Sequence, residues 1–164
     1  MRWRLALLSA SLVALTGFAA GAFATRMIMF PRRKPLAVTP AEARLAYEDV
    51  EFQARYDRKR LSAWFMPRAT PAADGCRHAV IAVHGWNTHR ADQLVGALEL
   101  YSGLVNRGLD LLAIDLRGRG RSAGAANRFG DTEYRDVLGA FDWLAGQSDD
   151  AGRPLFHSIA VHGF

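Results

Sequence analysis

"HAVIAVHGW", His78 to Trp86, decides the architecture. Ala79 to Val83 are apolar on consecutive positions. A strand with one face in water alternates, so this run predicts a strand covered on both faces, as in parallel sheets flanked by helices. It closes on His84-Gly85, where glycine lets the backbone turn sharply. Two later runs repeat the pattern: "LDLLAIDLRG" (Leu109 to Gly118) and "LFHSIAVHG" (Leu155 to Gly163).

The stretches between them carry a different period. Leu94, Leu98, Tyr101 and Val105 recur at helical spacing, and Asn106-Arg107-Gly108 is a stop with glycine just past the helix. Asp131 is placed to cap a further helix, with Glu133 and Asp136 near its positive end and Tyr134, Val137, Leu138, Phe141 and Leu144 as its apolar stripe. Strand, helix, strand, helix, strand at this spacing predicts parallel pairing through right-handed crossovers.

Upstream, "TPAE" (Thr39 to Glu42) has the residues of a capping box with proline at the first helical position, so a short helix should start there. Val50 and Phe52 share one face of a strand. In "RLSAWFMP" (Arg60 to Pro67), Leu61, Ala63 and Phe65 oppose Trp64 and Met66. With the polar turn "RYDRK" between them, these two runs predict an antiparallel pair. The fold class expected is α/β: a mixed, mostly parallel sheet with helices on both faces.

The chain has 164 residues, 50% of them hydrophobic and 23% charged, which is a globular composition. Its net charge of +5 suggests a nucleic-acid binder, but the distribution excludes that reading. Arg2, Arg4, Arg26, Arg32, Arg33 and Lys34 lie in residues 1–35, which hold no acidic residue. The remaining 15 Lys+Arg and 16 Asp+Glu leave residues 36–164 at −1. A nucleic-acid-binding domain carries a clustered basic face of its own. The single cysteine, Cys76, excludes an internal disulfide and has no motif around it. His84, His89 and Asp92 do not have convincing metal-ligand spacing, and no metal or cofactor is expected.

Leu5 to Ala24 run for twenty residues without a charge. As a helix they would rise about 30 Å, enough to cross a bilayer core. Ala22-Phe23-Ala24 fits a signal-peptide cleavage site. The length of the run, and the apolar Met27 to Phe30 after Arg26, fit a retained anchor. Basic residues flank both ends, so orientation stays open. Residues 1–35 are therefore read as a signal anchor or signal peptide with a basic linker, leading to the membrane or beyond it, and 36–164 as the globular body.

In open α/β sheets, chemistry sits at the carboxyl ends of the strands. Three such ends are "HGWNTHR" (His84 to Arg90), "DLRGRGRS" (Asp115 to Ser122) and the final "HGF". Their order resembles the α/β-hydrolase family, over roughly residues 46–164, and is most similar to bacterial esterases, lysophospholipases and serine aminopeptidases. The resemblance implies that Trp86 N–H is an oxyanion-hole donor, that Gly85 permits the turn and that His84 braces the loops rather than acting as base. It implies that Asp115, Arg117, Gly118, Gly120 and Ser122 form a loop at the active-site rim. It makes Gly163 and Phe164 the approach to a Gly-x-Ser-x-Gly nucleophile elbow, with the serine as the next residue. Acid and base follow the serine in this family, so none of the triad lies in these 164 residues, and the chain alone is expected to be inactive. Later strands flank the last one in the family's order, which predicts an exposed apolar edge here. Substrates implied are small-molecule esters, lipid esters or peptides.

Other readings remain. Gly118, Gly120 and Gly124 with Arg117, Arg119 and Arg121 could cradle phosphate, but the spacing misses the dinucleotide fingerprint by one residue and no Gly-Lys-Ser/Thr follows. The three arginines read chiefly as solvated, and otherwise as favouring an acidic substrate or lipid headgroup. A non-catalytic, membrane-associated α/β protein that binds lipid or a partner through "HGWNTHR" and the arginine loop is the alternative from another class.

Overall fold

The structure is a computed structural model describing residues 2–164; for residue 2 and residues 4–10 only the backbone is described. The chain divides into two compact units, Met1–Pro31 and Arg32–Phe164.

The first unit is helix α1, Arg2–Met29. Its segment Ser11–Met29, 19 residues with Arg26 as the one charge, is long and apolar enough to cross a membrane, and none of its residues is buried. That length rises about 28 Å, close to the roughly 30 Å of a bilayer core. A membrane anchor and a signal sequence both meet this description.

The second unit is a five-stranded sheet in the order β1-β2-β4-β3-β5. The strands are β1 Glu48–Gln53, β2 Arg60–Met66, β3 His78–Val83, β4 Leu109–Ile114 and β5 Ser158–Gly163. β1 pairs with β2 and β2 with β4 antiparallel; β3 pairs with β4 and β5 parallel. Helices α2 (Ala97–Asn106) and α3 (Tyr134–Ala145) cover opposite faces. Alternation along each strand explains the two cores. Trp64, Met66, Val80, Ala82, Leu111 and Ala113 face α2 with Tyr101 and Val105. Leu61, Ala63, Ala79, Ile81, Leu112 and Ile114 face α3 with Ala140 and Leu144. The consecutive apolar residues of β3 and β4 are thus split between two faces, both dry.

The "TPAE" start is real but short. Pro40–Ala43 is a single 3-10 turn, with the Thr39 N–H donating to Glu42 Oε1 at 3.1 Å. α3 crosses the end of β1 at Gly139, where a Cβ would lie 2.3 Å from the Gln53 carbonyl oxygen.

Four expectations change. Leu94 does not join the stripe of α2. It sits in the 3-10 turn Gln93–Val95, 91% exposed, and Gly96, at φ +63, separates that turn from the helix. Asp131 does not cap α3. Glu133 gathers the loose backbone N–H groups instead, accepting from Arg128 (2.7 Å), Gly130 (2.9 Å) and Thr132. Tyr134 and Phe141 point to solvent, while Asp136, Gly139, Ala140 and Leu144 are the buried face. β5 begins at Ser158 rather than Leu155; it lies on the sheet edge with Val161 58% exposed, as the family's strand order predicts, and is not covered like β3 and β4. Its apolar run reads like a buried strand because the sequence carries no record of how many neighbours are present.

Candidate active site

β3, β4 and β5 end side by side, and the loops leaving them converge. His84 joins two of these ends. Its Nε2 accepts from Leu116 N–H at 3.0 Å, so its Nδ1 carries the proton and donates to Gly85 O at 2.9 Å. Both ring nitrogens are occupied, which leaves no lone pair for general base work. Burial holds the imidazole below its ordinary pKa, against the pull of Asp115 and of the Gly85 carbonyl. The consequence for stability follows from its sign. The unfolded chain takes up this proton near pH 6.5, the folded chain only at lower pH. His84 therefore contributes full stability above about 6.5, lost as the pH falls toward the folded value. Urea midpoints from neutral to mildly acidic pH should show this slope, and His84→Gln, which keeps an acceptor but cannot titrate, should flatten it.

Gly85 and Trp86 turn away from β3. A Cβ on Gly85 would lie 3.2 Å from the Phe164 carbonyl oxygen, so the end of β5 passes directly against this turn. Phe164 is fixed there by its N–H donating to Val83 O at 3.1 Å and by its ring against Tyr101. Trp86 is 52% exposed, and its backbone N–H makes no backbone hydrogen bond among the described residues. His84, Gly85 and Trp86 line a cavity of about 230 Å³ with Leu116, Arg117, Arg119 and the segment from Asn127 to Glu133.

The rim loop after β4 is built around buried charge. The fully buried Asp115 carboxylate accepts from the N–H groups of Arg90 and Arg121, each at 3.0 Å. Ser122 Oγ donates to Asp115 O at 2.6 Å and accepts from Ser62 N–H at 2.9 Å, tying the loop back to β2. Gly118 and Gly120 have positive φ, and a Cβ on Gly120 would fall 1.9 Å from Asp115 Oδ2. Asp115, Gly118, Gly120 and Ser122 thus form one knot that shapes the rim.

The reading of the arginines as solvated is corrected for two of the three. Arg117 and Arg119 are buried; Arg121 is exposed. Arg117 bonds Asp136 through Nε at 3.0 Å and Nη2 at 2.7 Å, and Asp57 through Nη1 at 2.8 Å. Burial works against the Arg117 charge, but these bonds outweigh it and raise its pKa above the ordinary value. With its guanidinium committed to two carboxylates, Arg117 is not available to a phosphate.

His89, Asp92 and His84 do not converge: among the described residues no group of metal-ligating side chains occurs. His89 Nδ1 accepts from Ala91 N–H, and Asp92 accepts from Thr88 and Leu94. His157 and His162 lie outside the cavity: His157 precedes β5 and meets His78 edge to face, and His162 stacks on Phe164. Arg90 gave no sequence signal, yet it is fully buried over the Trp64 ring, donates to Ser62 Oγ at 2.9 Å and pairs with Asp115 at 3.5 Å. Asn127 and Phe129 were likewise invisible, because only the folding of the loop between β4 and α3 brings them to the cavity.

No family model matches the chain. It is 32% identical over 120 residues to the uncharacterized protein YfhR of Salmonella typhi, covering 73% of this chain and 37% of that protein. YfhR of Escherichia coli is 35% identical over 83 residues. The Pyrococcus furiosus esterase Pf2001 superposes with a TM-score of 0.68 at 28% identity, over 84% of this chain and 47% of the esterase. XC6422 of Xanthomonas campestris, a serine hydrolase without a lid, shares the fold at 18% identity and a TM-score of 0.56. The strand order, the glycine-ended strands and these likenesses place the chain in the α/β-hydrolase family. It spans about a third of the length of the curated relatives it matches and about half of the esterase.

Proposed function

We propose that residues 36–164 are the oxyanion-side half of a serine hydrolase that cleaves ester, lipid-ester or amide bonds through an acyl-enzyme. The observation that carries this reading is the approach of Phe164 to Gly85, 3.2 Å from where a side chain would begin. A residue following Phe164 would emerge beside the Trp86 N–H. In the elbow pattern that residue is the serine. Its oxygen would attack the substrate carbonyl, and the developing oxyanion would take a hydrogen bond from Trp86 N–H. Such a donor contributes roughly 3–4 kcal/mol to the transition state. His84 holds the two loops that frame this donor. The likeness to an esterase favours ester over amide substrates. α1 serves as retained anchor or signal, and the site of action is the membrane or the cell envelope.

A fluorophosphonate probe tests the reading on the gene product that extends past Phe164. One covalent label is expected, lost when the serine after Phe164 is replaced by alanine and absent from residues 1–164 alone. A folded, extended product that takes no label would overturn the proposal in favour of a non-catalytic binding protein.

A further inference from the structure

The linker after α1 is held against the rim of the cavity. Arg33 Nη1 donates to Gly120 O at 3.0 Å and Nη2 to Gly124 O at 2.7 Å. Both carbonyls belong to the loop whose Arg117 and Arg119 line the cavity. Three residues, Phe30 to Arg32, separate Met29, the last residue of α1, from Arg33, which makes four Cα-to-Cα steps. A chain of that length spans at most about 14 Å. An α1 retained in a bilayer therefore tethers Arg33, and through its side chain this rim, to the bilayer by a short linker.

The same rim exposes aromatic surface. Trp86 is 52% and Phe129 63% exposed, and both line the cavity. Phe129 also has φ +53, a left-handed conformation that costs a bulky residue free energy, and its N–H donates to Asn127 Oδ1 at 2.9 Å. The chain thus spends strain to hold a phenyl ring in water beside the cavity mouth. Arg32 and Lys34, exposed on either side of Arg33, add positive charge to the same linker. Aromatic rings sit at the headgroup level of a bilayer, and basic residues draw toward anionic lipid.

We propose that the mouth of the cavity faces the membrane surface, with Trp86 and Phe129 at the lipid interface and Arg33 fixing that orientation, so that the ester taken is one already held in the bilayer by an acyl chain. The substrate class rests on the serine-hydrolase reading; the docking does not.

Docking is tested first, without catalysis. The full chain, with Cys76→Ser and Phe129→Cys carrying a bimane label, is reconstituted into phosphatidylethanolamine–phosphatidylglycerol vesicles with brominated acyl chains. The expected result is quenching of the label by about twofold, reduced toward none when a flexible Gly-Ser segment of about twenty residues, reaching roughly 25 Å, is inserted after Pro31. Arg33→Gln should reduce it in the same direction. Absence of quenching in vesicle-bound protein, or failure of the chain to bind vesicles, overturns the docking.

The substrate is tested on the extended gene product. The same insertion should slow hydrolysis of a long-chain ester embedded in those vesicles about tenfold by lowering its effective concentration, while hydrolysis of soluble p-nitrophenyl butyrate stays unchanged. Equal effects on both esters overturn the bilayer substrate. Hydrolysis of neither ester overturns the serine-hydrolase reading, and the quenching result still decides the docking.

Discussion

Asp136→Ala is expected to lower the stability of the globular unit by about 3–5 kcal/mol, because it leaves a buried charge without its main partner. Arg117 is 5% exposed and Asp136 fully buried. Asp136 accepts from the Arg117 side chain and from its backbone N–H at 2.8 Å. After the substitution only Asp57, at the edge of the site, would face the guanidinium. Domains are stable by about 5–15 kcal/mol in total, so the single variant should be largely unfolded near physiological temperature. The double variant Arg117→Met with Asp136→Leu removes both charges and keeps the volume, and should recover most of the loss. Urea unfolding of the chain in mild detergent, followed by near-ultraviolet dichroism of the buried Trp64, gives both values. A single variant that costs less than about 1 kcal/mol would place the pair among exposed salt bridges instead.

Gly120→Ala should cost about 2–5 kcal/mol, combining overpacking of roughly 1–3 with a left-handed backbone penalty of roughly 1–2. The added Cβ would sit within 2.5 Å of both carboxylate oxygens of Asp115. Asp115 cannot retreat, because its oxygens accept from Arg90 and Arg121 and its own backbone N–H pairs with Ser62 O. Gly75→Ala is the control: it too has positive φ, but nothing lies within 4 Å of its Cβ. It should show the backbone penalty alone, about 1–2 kcal/mol. Equal midpoints for the two variants would remove the Asp115 contact as the cause.

Together these variants separate two roles that the string "DLRGRGRS" holds side by side. The motif read as a rim loop through its resemblance to the family's loop after this strand. That the loop is organised by charge was not readable. Asp136 looked like a residue favourable to a helix N-terminus, and Arg117 like a solvated cation, since each is an ordinary surface residue taken alone. They meet because α3 packs under the end of β4, a contact between residues 19 positions apart. Arg90 shows the same limit. It lies in a polar loop of sequence, yet its guanidinium is sealed between Trp64 and Ser62 of β2 and Asp115 just past β4.

The sequence by itself determined the two-faced strands β3 and β4, the hairpin β1–β2, the presence of the two helices between the parallel strands and the glycine turns at strand ends. These follow from residue period and backbone freedom, which are local. It also located the His84-Gly85-Trp86 turn and the apolar segment of α1. Tertiary structure decided which polar residues are buried, where the exposed β5 lies, and that Phe129 and Arg33 meet the rim. Burial and ion pairing depend on which distant segments exclude water from a side chain, and no period in the sequence records that. The placement of Phe164 beside Gly85 belongs to both: each residue ends a readable strand, and only the parallel pairing of β3 with β5 brings the two ends together.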